Sequence, residues 1–259
     1  LILLVLFLGT LAVWVYRDMT AYAAFKKAAD TRVRQAFFRS WVVVSALLFG
    51  VGTIVALALL GRLPQLWQPP SEFAALASGD IVAPFREALA DRVFLMFVGG
   101  AFLAGRLIPT LVHARLTRQS PTRPLRSAVP GDVQALLPRN GAERLWAAAL
   151  SVNAGVTEEL AFRLLLPLLI TLVTGNPGVA FILSGAAFGL VHLYQGWAGV
   201  LATTLAGAVL SLLYLATGSL LAPILLHIAI DMFGLLVQPL LERWALEAGQ
   251  RSRGHDADC

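Results

Sequence analysis

The sequence predicts an all-α fold, a polytopic bundle of transmembrane helices, and three observations predict it. The chain is 58% hydrophobic and only 14% charged, with a mean hydropathy of +0.76. Soluble domains hold nearer half apolar residues and about a quarter charged ones. Several apolar runs approach the roughly 20 residues a spanning helix needs. Finally, the basic residues collect in the connections between those runs, where they set membrane orientation, so the pI near 10.0 is no sign of nucleic-acid binding.

Taken in order, about seven spans emerge, with six to eight as the range: roughly 1–16, 41–60, 93–113, 145–173, 178–194, 198–216 and 219–240. The opening LILLVLFLGTLAVWVY lacks the basic region and small-residue cleavage site of a signal peptide and reads as a first spanning helix. The loop from Arg17 to Arg39 carries six basic residues against two acids, and the loop at 61–92 mixes both signs. The loop at 114–144 is basic again, with a segment SPTRPLRSAVPGD too proline-rich for a helix. Arg106 and His113 mark the inner end of the third span. Short uncharged turns, TGNPG and TGS, separate the later spans. The positive-inside rule then places the N-terminus outside and the C-terminus in the cytoplasm. The organisation is N-terminal transmembrane helices and cytoplasmic loops at 1–140, a core at 141–241, and a cytoplasmic tail at 242–259 expected to be disordered. The single cysteine, Cys259, excludes an internal disulfide framework and a cysteine-based metal site within one chain.

Ionisable residues inside apolar spans are costly and default to a functional reading. Here they gather late in the chain: Glu158, Glu159 and Arg163 in the fourth span, His192 in the fifth, His227 and Asp231 in the seventh. Counted from the outer turns at about 1.5 Å per residue, Glu158 lies about 24 Å deep, His192 about 21 Å, His227 about 13 Å and Asp231 about 20 Å. Three separate helices thus deliver polar groups to one layer on the cytoplasmic side of the midplane. Glu159 and Arg163 are four residues apart on one face and read first as a structural ion pair. Glu158 is turned about 100° away and faces something else. His227 and Asp231 share a face, as do Phe188 and His192. Two histidines and a glutamate without an obvious cation, at matching depth, favour chemistry over structure.

Together, E-E-x-x-x-R at 158–163, F-x-x-x-H at 188–192 and H-x-x-x-D at 227–231 resemble the CAAX protease and bacteriocin-processing family of intramembrane endopeptidases, which includes the type II CAAX prenyl endopeptidases. The resemblance implies that Glu158, assisted by His192, activates a water for peptide hydrolysis. His227 and Asp231 would stabilise the oxyanion, while Glu159 and Arg163 would hold the site's shape. Prenyl-protease members commonly carry Asn at the position of Asp231, and an ionised Asp cannot donate a hydrogen bond. Asp231 is therefore expected either to be protonated or to orient His227 by accepting a hydrogen bond, the second being favoured.

No cofactor follows with certainty. One Glu and two His also form the set that holds catalytic zinc, and the family has been described both as metalloprotease and as metal-free glutamate type. The H-E-x-x-H helix is absent, which tilts the reading toward no metal. The expected partners are a peptide or protein substrate, membrane-anchored in one version, and membrane lipid, with no nucleic acid. The expected location is the bacterial plasma membrane. Two other classes compete: a non-catalytic scaffold or bacteriocin self-immunity protein, which needs none of these residues, and a proton-coupled transporter, which predicts inverted repeats and broken helices in matching halves.

Overall fold

The computed structural model describes residues 1–93, 132–241, 243 and 244, with the scattered positions 96, 99, 100, 104, 105, 108 and 112. Most of the third predicted span, with Arg106 and His113, most of the basic loop after it and nearly all of the tail lie outside the described residues. Among the described residues every secondary-structure element is helical.

Helix α1 runs Ile2–Lys26 and α2 Thr31–Ser45. A π-helical stretch, Ala46–Val51, carries α2 directly into α3, Gly52–Leu59. The expected loop at 17–39 therefore shrinks to a tight turn. Its Arg and Lys residues are good helix formers and simply extend the helices beyond their apolar parts. Asp30 ends the turn, its side chain accepting from the Arg32 N–H at 2.6 Å as an N-cap. The mixed-charge segment that follows holds only short helices, among them α4, Ala74–Ala77, and α5, Ala83–Ala90.

The centre of the molecule is one long broken helix. Its first part, α6, spans Gly141–Glu159 and starts at Asn140, whose side chain accepts from the Glu143 N–H. A π-helical turn at Leu160–Leu165 follows, and α7 completes it at Leu166–Thr174. Pro167 accounts for the widened turn, because proline has no N–H and its ring crowds the carbonyl four residues back, at Arg163. The Phe162 carbonyl, whose partner five residues on would be Pro167, accepts instead from Ser184 Oγ of a neighbouring helix at 2.6 Å. Pro239 explains the π-helical turn at Phe233–Val237 in the same way.

Gly175 (φ +71°) ends α7 in the left-handed conformation that glycine adopts without strain, and Asn176 caps α8, Pro177–Leu190. A short turn bearing His192 leads to Gly196 (φ +78°), where α9, Gly196–Thr217, begins. Helix α10, Leu221–Met232, packs along α6.

Among the described residues, four helical stretches suffice by length and composition to cross a membrane: Ile2–Lys26, Thr31–Leu59, Leu193–Thr217 and Leu221–Leu241. Pro177–Leu190 is apolar but shorter. Exposed side chains such as Val5, Leu6 and Val13 on α1, Leu201 and Leu205 on α9 and Leu225 on α10 form an apolar exterior, and the protein is an integral membrane protein. The α6–α7 helix differs from these, since residues 161–171 are all buried by protein. Phe162, Leu164, Leu165 and Leu168 are almost inaccessible, packed against Phe49, Leu57, Phe181 and Tyr214. Lipid tails are as apolar as these side chains, so dispersion from close packing, rather than water exclusion, holds such helices together. Gly155 shows how close the packing is: a Cβ there would sit 2.5 Å from Ile228 Cγ1 of α10.

Candidate active site

The tight α6–α10 contact brings the two glutamates of α6 beside the histidine and aspartate of α10. The short turn after α8 adds His192 from a third direction. Glu158, His192, His227 and Asp231 all line one cavity of about 240 Å³. Residues spread over 73 positions of the sequence thus face one space. Glu159 and Arg163 are in the wall behind it, both essentially inaccessible.

Glu158 Oε2 stands 3.9 Å from His192 Nε2, too far for a direct hydrogen bond. The same oxygen is buried and has no hydrogen-bond partner among the described residues. The other nitrogen of His192, Nδ1, is 2.7 Å from the Phe188 carbonyl. A carbonyl can only accept, so Nδ1 carries the proton and Nε2 of the neutral ring is an acceptor. Two acceptors therefore face each other across a gap that a two-proton donor such as water fits. Phe188 also packs its ring 4.9 Å from that of His192.

His227 is held differently. Its Nδ1 donates to Glu159 Oε1 at 2.6 Å, and Glu159 Oε2 lies 3.0 Å from Arg163 Nε. Arg163 in turn sits over the Phe188 ring, 4.1 Å from its centroid, and reaches the Gly207 carbonyl at 3.4 Å. Gly207 leaves the room for this, because a Cβ there would press on Phe188. This arrangement corrects the expected role of Asp231. The carboxylate that fixes the His227 tautomer is Glu159, reaching across from α6, whereas Asp231 Oδ2 is 3.8 Å from the other ring nitrogen. The i,i+4 spacing of His227 and Asp231 puts them on one face but does not bring them within hydrogen-bond reach. Asp231 opens onto the cavity, with its side chain 32% exposed.

Among the described residues, no group of three or more His, Cys, Asp or Glu side chains is placed to hold a metal ion. No step below runs through a metal.

Other polar residues on the cavity wall escaped the sequence reading. Asp18 accepts a hydrogen bond from Trp41 Nε1 there, and Ser45, which also lines it, accepts from Asn153 Nδ2 at 2.6 Å. A signal for Asp18 does exist. With Leu11, Tyr22 and Phe25 it falls on one buried stripe of α1, at helical spacing.

Residues 140–233 match the family model described as Type II CAAX prenyl endopeptidase Rce1-like. No curated protein and no solved structure gives a match. The matched segment contains Glu158, His192, His227 and Asp231, as well as Glu159 and Arg163. Over this segment, about a third of the chain, the site-bearing helices are similar to the type II CAAX prenyl endopeptidase, Rce1-like, family.

Proposed function

We propose that the protein is an intramembrane endopeptidase in which Glu158 is the general base. The observation that carries this is the facing pair of acceptors, Glu158 Oε2 and His192 Nε2, at 3.9 Å on the wall of a shared cavity. A water about 2.8 Å from each donates one O–H to the carboxylate and one to the imidazole. Its lone pairs then point into the cavity, toward a peptide carbonyl.

In the proposed reaction the water oxygen forms a bond to the carbonyl carbon as its proton passes to Glu158. The carbonyl π pair becomes an oxyanion. His227, held through Nδ1 by Glu159, presents a protonated Nε2 to that oxygen, and Asp231 close by supports the imidazolium charge. Collapse of the tetrahedral species breaks the C–N bond, and the proton held on Glu158 goes to the departing amine. In a protein-lined cavity such a donor acts without the competition of bulk water. Glu159 and Arg163 act through His227 and the helix wall and are positioning residues. The substrate in this reading is a peptide segment, free or membrane-anchored, entering near the cytoplasmic face.

The test is cleavage of a panel of quenched peptides by purified protein in detergent. Wild type should cleave at least one peptide, and Glu158→Ala and His192→Ala should lose about 10²–10⁴-fold in rate while unfolding as wild type does. Wild-type protein inert across a broad panel, or variants as active as wild type, would remove this reading and leave the scaffold role ahead.

A further inference from the structure

The cavity has a second polar end that hydrolysis itself does not use. Asp18 of α1 lines it, together with Trp14, Trp41 and Tyr194. Only 6% exposed, Asp18 lies on the stripe of α1 that faces protein rather than lipid. Trp41 Nε1 donates to its Oδ1. None of the described ion pairs includes Asp18.

The charges at the Asp18 end of the cavity are one-sided, since His227, the imidazolium of the proposed reaction, is held at the other end by Glu159. Asp18, Glu158 and Asp231 line the cavity, and among the described lining residues there is no Lys and no Arg. A carboxylate in an apolar interior is costly without a cation. Aromatic faces attract cations too, and Trp14, Trp41 and Tyr194 line this end of the cavity. Tyr194 joins the two ends: its ring lies 6.0 Å from that of His192 and 5.1 Å from that of Trp41. At about 3.3 Å per residue of extended peptide, this aromatic wall spans at most about three residues of a bound substrate.

We propose that Asp18, with Trp41 and Tyr194, forms a subsite for a cationic group of the peptide substrate, a lysine or arginine side chain or a free amino terminus, within about three residues of the bond that is cut. The proposal rests on the peptidase reading for what the bound peptide is, and its test separates the two. Full-length Glu158→Gln protein in detergent is titrated with peptides identical except for lysine, norleucine or glutamate at one position. Each is made with a free and with an acetylated amino terminus, and binding is followed by tryptophan fluorescence and calorimetry.

Lysine peptides, or free amino termini, bind at least about tenfold more tightly than their neutral twins. Asp18→Asn, which keeps an oxygen to accept from Trp41, erases the difference. Equal affinities for cationic and neutral peptides overturn the proposal, as does a cation preference that survives Asp18→Asn. The first comparison needs no change at Asp18, so a folding defect there cannot hide the answer. Cation-selective binding without wild-type cleavage contradicts the peptidase reading alone. Cleavage with binding indifferent to charge contradicts the subsite alone.

Discussion

Arg34 with Glu143 and Arg163 with Glu159 are both fully buried ion pairs, at 3.1 and 3.0 Å, yet their surroundings differ in kind. Apart from Arg34 Nη1, which has no hydrogen-bond partner among the described residues, the Arg34 pair is closed on itself. Glu143 Oε1 accepts from Thr31 Oγ1 at 2.9 Å, and Oε2 accepts from Arg34 Nε and from the Arg139 N–H at 3.0 Å. Arg34 Nη2 donates to the carbonyls of Ala135 and Leu137, and its guanidinium covers the Phe25 ring. This clamp ties the start of α2 to the start of α6 and touches no reacting group. Glu159, by contrast, divides its oxygens, one to Arg163 and one to His227 at the cavity wall. Burial alone does not separate a structural pair from a site pair. What the second oxygen touches does.

The comparison is broken most directly at the clamp. Glu143→Ala leaves Arg34 charged and unpaired in the interior and should cost about 3–5 kcal/mol of stability, read by denaturant titration in mixed micelles. A cost below about 1 kcal/mol would place the pair with ordinary surface bridges. Its pH dependence sharpens the point. Burial works against the Glu143 charge, but the Arg139 N–H, the Thr31 hydroxyl and Arg34 outweigh it and hold the carboxyl below its ordinary range. Its stabilisation is then complete above an unfolded-state pKa of about 4.3 and fades as pH falls through the lower folded value. Wild type should lose stability with acid more steeply than Glu143→Gln, and parallel curves would contradict the clamp.

At the site pair the loss should appear in rate. His227→Ala removes the proposed oxyanion donor and should lower cleavage about 10²–10³-fold, with the folded fraction retained by circular dichroism. A smaller effect belongs to Ser184→Ala, which strands the Phe162 carbonyl at the π-helical turn and should cost about 1–3 kcal/mol without changing the rate per folded molecule. Smallest is Lys26→Ala. Its partner Asp132 is half-exposed, and the bridge should contribute at most about 1 kcal/mol; a larger loss in thermal unfolding would mean that this turn, too, is a clamp.

The two pairs also show what could be read without coordinates. Glu158, Glu159 and Arg163 stand out because they interrupt an apolar run, where each charge demands a reason. Arg34 and Glu143 lie in polar connections where charge is the expectation, so nothing in the local pattern marks them as buried. Asp18 follows Arg17 at the end of an apolar run and reads as interfacial until α1 is known to continue to Lys26. The bond between Glu159 and His227 spans 68 residues. It depends on the close approach at Gly155, and helical spacing pointed instead to Asp231, the neighbour on the same helix. The helical class was legible from composition and the turns from Gly, Pro and Asn, whereas partners between helices came only from packing.

The decisive measurement sets the two adjacent glutamates against each other: cleavage rate and thermal unfolding together, for wild type, Glu158→Gln and Glu159→Gln. Glu158→Gln should unfold as wild type does and cleave nothing measurable, whereas Glu159→Gln should lose stability and rate together. Glu158→Gln protein that is folded and cleaves within about tenfold of wild type, well short of the loss expected for a missing general base, would contradict the assignment.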